Sequence, residues 1–174
     1  LMLAARWLTR GADAHRVAAI GAIVGVFAFA AVILAAPMDS SGLFGFGVAL
    51  IGGGAGMFAH GTLTATMGLA KPQDRGLALG AWGAAQATAA GLAIALSGAI
   101  NDLGTALATS GALGEALITP ATGFAMVYAI EIVLLLATVV AIGPLVRSPR
   151  VAAQDGDGGF NLVTANTLIP GGVR

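Results

Sequence analysis

Glu131 stands within TGFAMVYAIEIVLLLATVVAIGPLV, residues 122–146, a stretch with no other charge. A carboxyl group in so apolar a setting can do three things. It can stay protonated and hydrogen-bond a neighbouring helix, it can carry a proton, or it can contact a ligand or pigment. A charge at the centre of a bilayer costs roughly 2.5–3.5 kcal/mol on insertion scales, which makes such a residue a candidate for function. Tyr128 lies one turn before it and Thr138 two turns after, on one helical face. His60 is the second candidate, inside GGGAGMFAHGTLT. A neutral imidazole can ligate a metal, including the magnesium of a chlorophyll, or hydrogen-bond across a helix pair. The glycines before it would let a flat macrocycle approach the backbone. Gln86 and Thr88 read as residues that hydrogen-bond between helices.

Other chemistries are excluded by what the sequence lacks. There is no cysteine, hence no thiolate metal site and no cysteine nucleophile. No P-loop, HExxH, paired carboxylates or Ser/His/Asp arrangement occurs, and no cluster of polar residues marks one interface, so the chain is not expected to be an enzyme. Eight basic residues balance eight acidic ones, which gives no surface for nucleic acid.

The elements that must position Glu131 and His60 are membrane helices. Of 174 residues, 57% are hydrophobic and 9% charged, and the mean hydropathy is +0.92. A spanning helix needs about 20 apolar residues. Four stretches qualify: 17–36, 42–70, 76–100 and 122–146. Open strands cannot span, because their backbone groups would go unpaired in hydrocarbon. Fold class is therefore all-α integral membrane, with a four-helix domain over 17–146. Residues 1–16 read as the end of an earlier helix and a basic loop of a longer protein. Residues 147–174 read as a flexible tail. The basic residues Arg6, Arg10, Arg16, Lys71, Arg75, Arg147, Arg150 and Arg174 all fall on one side of this topology. Lys/Arg counts then place both ends in the cytoplasm.

Small residues are expected to let the helices approach closely. Gly52, Gly56, His60, Thr64 and Gly68 recur every four residues on the second span. Gly76, Gly80, Ala84 and Thr88 do the same on the third, with Gly83 and Gly91 beside them. These read as packing ridges, or as a hinge for alternating access.

The stretch Met67–Leu103 is the most distinctive. Its elements are Asp74-Arg75-Gly76, then Leu77-Ala78-Leu79-Gly80-Ala81-Trp82-Gly83, then Gln86-Ala87-Thr88-Ala89-Ala90-Gly91, with His60-Gly61 before and Asn101-Asp102-Leu103 after. It resembles the BCH/PucC family of light-harvesting assembly and bacteriochlorophyll-delivery proteins, over residues 1–146. The resemblance implies that the four helices are the last four of a twelve-helix major facilitator fold, with the N-terminal helices of the parent as partners. It implies a phototrophic bacterium's inner, intracytoplasmic membrane. It implies work on antenna polypeptides, with bacteriochlorophyll as cargo or cofactor and His60 as a ligand to its magnesium. In that fold the first and fourth helices are peripheral, which would put Glu131 at a docking surface. Asp74 and Arg75 are expected to fix their flanking helices through a charge pair. Two alternatives stay open: a secondary transporter of a small or lipid-like substrate with Glu131 as proton carrier, and a non-transporting fragment. The sparse polarity of His60, Gln86, Thr88 and Glu131 suits a hydrophobic cargo better than a hydrophilic solute.

Overall fold

The structure is a computed structural model that describes residue 6 and residues 11–146. The expectations for the rest of the leading segment and for the tail 147–174 lie outside the described residues. Four α-helices follow one another: α1 (Ala14–Ala35), α2 (Ser41–Leu69), α3 (Arg75–Thr109) and α4 (Thr122–Ile142). Each is long and apolar enough to cross a membrane. Short 3-10 turns lie at Pro72–Asp74, Glu115–Leu117 and Gly143–Leu145.

Helix ends follow from local chemistry. Asp13 caps α1, its Oδ1 accepting from the amides of His15 (2.8 Å) and Arg16 (3.1 Å). Ser40 caps α2 by accepting from the Leu43 amide at 3.2 Å. The α1–α2 turn is a Schellman motif. The Ser40 amide donates to the Ala35 carbonyl (3.0 Å) and the Asp39 amide to the Ala36 carbonyl (3.1 Å). Glycine usually takes the left-handed position of this motif. Here it is Asp39, at φ +46°, a conformation that costs an L-residue on the order of 1 kcal/mol.

The third helix runs further than expected. The expected span ends at residue 100, before Asn101 and Asp102, yet the helix continues to Thr109, and Gly111 at φ +76° follows. A polar residue marks where a chain leaves hydrocarbon. A helix stops where its backbone is turned aside, and nothing before Gly111 does that. At 1.5 Å per residue α3 is about 52 Å long, well beyond a hydrocarbon core of about 30 Å.

Helix α1 is the hub. It lies antiparallel against α2 along most of its length and antiparallel against α4, while α3 touches α4 and only slightly α2. Among the four described helices, α1 is thus the most enclosed. Its seam toward α2 runs through Ala14, Ala18, Gly21, Gly25, Ala28 and Val32, spaced by fours and threes. The facing seam on α2 is Gly47, Gly54 and Gly61. A Cβ on Gly54 would stand 2.8 Å from the Gly21 carbonyl oxygen, and one on Gly61 2.6 Å from the Ala18 amide nitrogen. Backbone therefore meets backbone.

The expected packing ridges do not meet another described helix. Gly52, Gly68, Gly76, Gly80, Gly83 and Gly91 all have open space where a Cβ would go. The reason is angular. Seven residues return to within about 20° of the same direction, so Gly47, Gly54 and Gly61 hold a straight line. Four residues overshoot by about 40°, so a strict fourfold spacing winds off any straight neighbour. Gly56, also on that ridge, is half-buried.

The test is a pair of substitutions on α2. Gly61→Ala should lower thermal stability in detergent clearly, because the nearest atoms are backbone. Gly52→Ala, in open space, should leave it unchanged or raise it by up to about 1 kcal/mol through helix propensity. Circular dichroism melting and the monodisperse fraction on size exclusion would measure both.

Candidate functional site

His60 comes one position before the seam residue Gly61. Its Nδ1 lies 3.0 Å from the Gly56 carbonyl oxygen. A carbonyl can only accept, so Nδ1 carries the proton and Nε2 holds the free lone pair. Among the described residues Nε2 has no hydrogen-bond partner, and the side chain is half-buried. This is the tautomer a single axial donor to a metal requires. Among the described residues no group of three or more His, Cys, Asp or Glu side chains gathers to hold a metal ion.

Depth separates His60 from Glu131. Gly61 packs on Ala14 and Ala18, in the first turns of α1. That end also carries Asp13, His15 and Arg16, with Asp13 and His15 3.7 Å apart. His60 therefore sits level with charged groups and not deep in the helix, as its neighbours in the sequence had suggested. Glu131 sits elsewhere. Tyr128 stacks on Phe29, ring centroids 5.4 Å apart, and a Cβ on Gly25 would meet Leu135 at 2.9 Å. Residues 128, 131 and 135 share one face of α4, so Glu131 belongs to the seam toward α1, near the middle of that helix. It is half-buried and makes no hydrogen bond or ion pair among the described residues. Of its three possible roles, the hydrogen bond to a neighbouring helix is not formed among the described residues. The two candidates are about 16 Å apart along α1 and do not form one site.

The other expected residues divide as follows. Tyr128 is held by Phe29. Thr138 hydrogen-bonds the Leu134 carbonyl of its own helix at 2.8 Å. Gln86 is half-buried and makes no hydrogen bond among the described residues, and Thr88 is exposed. Neither joins two helices. Asp74 and Arg75 are both exposed and form no charge pair. Adjacent positions at a helix start point about 100° apart, which keeps the side chains from facing each other.

Two polar devices went unnoticed in the sequence. Trp82 Nε1 donates to Thr62 Oγ1 at 3.3 Å and ties α3 to α2. Trp82 lay inside the most distinctive motif, and an indole N–H in a span needs an acceptor, so a signal was there. The second is the approach of α3 to α4. A Cβ on Gly123 would lie 2.6 Å from both the carbonyl oxygen and Oδ1 of Asn101. Asn101 Oδ1 is buried with no conventional partner. It faces the Gly123 Cα, where a weak C–H···O contact is available. Nearby Thr122, buried, donates to the Leu117 carbonyl at 2.6 Å. Nothing in the spacing pointed to Asn101, which had read as the start of a loop.

Removing the α2–α3 tie should be measurable. Trp82→Phe keeps the ring and loses the donor. It should cost about 0.5–1.5 kcal/mol in reversible unfolding, and Thr62→Val should add little when combined with it. Independent full costs in the double variant would show that the two groups do not act as a pair.

Comparison with known proteins places these helices among relatives. The model of a family described as PUCC protein matches residues 1–150. An "uncharacterized protein in puhA-bchM intergenic region" of Rhodobacter capsulatus is 50% identical over 143 residues, covering 82% of this chain and 30% of that protein. Protein PucC of Cereibacter sphaeroides is 43% identical over 151 residues, covering 86% and 32%. Protein PucC of Rhodobacter capsulatus is 42% identical over 146 residues, covering 83% and 30%. The chain thus spans about a third of the length of these relatives. No solved structure matches it.

Proposed function

This chain belongs to the PUCC protein family, and from that premise we propose that it serves the assembly of light-harvesting complexes in a phototrophic bacterium. The carrying observation is the family match over residues 1–150 together with relatives named PucC at 42–43% identity over more than four fifths of the chain. In this reading the parent protein delivers bacteriochlorophyll to antenna polypeptides, or shepherds those polypeptides, in the inner membrane. Both ends of the four-helix region face the cytoplasm, as its basic residues suggest. The four helices are the last four of a twelve-helix major facilitator fold, a view supported by a chain about one third as long as its relatives.

The structure supports a hydrophobic cargo more than a hydrophilic one. Glycines 52 and 53 leave a smooth, open strip on α2 beside the turn that carries His60. A tetrapyrrole could lie on such a strip with its magnesium on Nε2, whose tautomer the Gly56 carbonyl fixes. One observation favours a second reading. Glu131, half-buried at mid-helix without a partner, is placed as a proton carrier would be in a secondary transporter.

Purification of the native-length protein in mild detergent, with an absorption spectrum and mass spectrometry of what accompanies it, separates the two. Near-infrared bacteriochlorophyll bands with antenna polypeptides are expected, and His60→Leu should lower the pigment recovered by about tenfold while the helical content stays. A colourless preparation without antenna polypeptides, together with a Glu131→Gln variant that abolishes proton uptake, would replace assembly by transport.

A further inference from the structure

The end of the bundle away from His60 holds a cleft that neither reading uses. It opens between the C-terminal turns of α1 and the first turns of α2 and α4, with a volume of about 530 Å³. That lies within the range of about 300–1,000 Å³ typical of small-molecule sites. Its walls are apolar, from Val32, Ile33 and Ala125, and three aromatic rings line it: Phe44, Phe124 and Tyr128. A neighbouring cleft of about 840 Å³ shares Ile33, Ala36, Ala121 and Ala125 with it, so the apolar space continues past α4.

One charge lines the cleft, the carboxylate of Asp39. It makes no hydrogen bond or ion pair among the described residues. The sequence offers it no cation either: residues 17–70 and 76–146 contain no Lys or Arg. Ser40, beside it, spends its hydroxyl on the α2 cap. Asp39 also holds the left-handed position of a turn that glycine would fill without strain. The exposed carboxylate lines the same cleft as the three rings, and a carboxylate with aromatic rings in one cleft attracts an organic ammonium, by charge and by the negative faces of the rings. A phosphate beside that ammonium would meet only Asp39 and no positive group.

We propose that this cleft binds a lipophilic ammonium compound without a phosphate, its cationic head at Asp39 and its apolar body against Phe44, Phe124 and Val32. The carboxylate supplies selectivity for the head. The apolar walls supply most of the affinity and do not discriminate between heads.

The test uses the native-length protein in maltoside micelles, loaded with an environment-sensitive apolar fluorophore. Three competitors of equal chain length are compared: dodecyltrimethylammonium, dodecanol and dodecylphosphocholine. The first should displace the fluorophore at least tenfold more effectively than the other two. Asp39→Gly should reduce that preference to within twofold without lowering the melting temperature, because glycine suits the turn. Phe124→Ala should weaken the ammonium compound about tenfold. Comparing each competitor between the wild type and the variants cancels its partition into micelles. Equal potency of the three competitors, failure of all to displace, or an undiminished preference in Asp39→Gly would each overturn the proposal.

Discussion

In hydrocarbon two helices gain nothing by burying leucine against each other, since lipid tails serve as well. They associate to the extent that their atoms can be brought into close contact. In this chain Gly21, Gly54 and Gly61 bring backbone against backbone between α1 and α2, with small or branched side chains such as Ala18 and Val24 beside them. Dispersion is weak per atom pair and falls off within an ångström, so only such an approach accumulates enough of it. Everything else is hung on this pair. Helix α4 reaches it through Tyr128 and Leu135. Helix α3 reaches it through an indole hydrogen bond to α2 and a close glycine crossing to α4.

Polar groups are distributed by depth along that frame. His60 lies level with the charged beginning of α1, Glu131 lies beside the middle of it, and Asp39 closes the turn beyond its end. The chain thus presents three separate chemistries at three levels. Each is single: one imidazole, one carboxyl group, one carboxylate among aromatic rings.

The four spans and their order were legible, because hydropathy over about 20 residues has one physical meaning. The start of α2, expected at residue 42, lies at Ser41, where Ser40 caps it. The end of α3 was not legible, because Asn101 and Asp102 are polar without being helix-breaking. The seam between α1 and α2 was not legible for a related reason. Small residues at fourfold spacing catch the eye, whereas the seam is set by the angle between neighbouring helices, and Gly47, Gly54 and Gly61 stand seven apart. The tautomer of His60 could not be read at all. It depends on a carbonyl one turn back that a sequence only implies once the helix is drawn.

Helix α3 is mounted at two points, Trp82 near its beginning and Gly104 near its end. Between them, Gly83 and Gly91 look onto open space. As far as these four helices are concerned, that middle section could carry side chains of any size. A row of leucines would satisfy α1, α2 and α4 equally well. The size of residue tolerated there is therefore a gauge of how closely anything outside these four helices approaches α3.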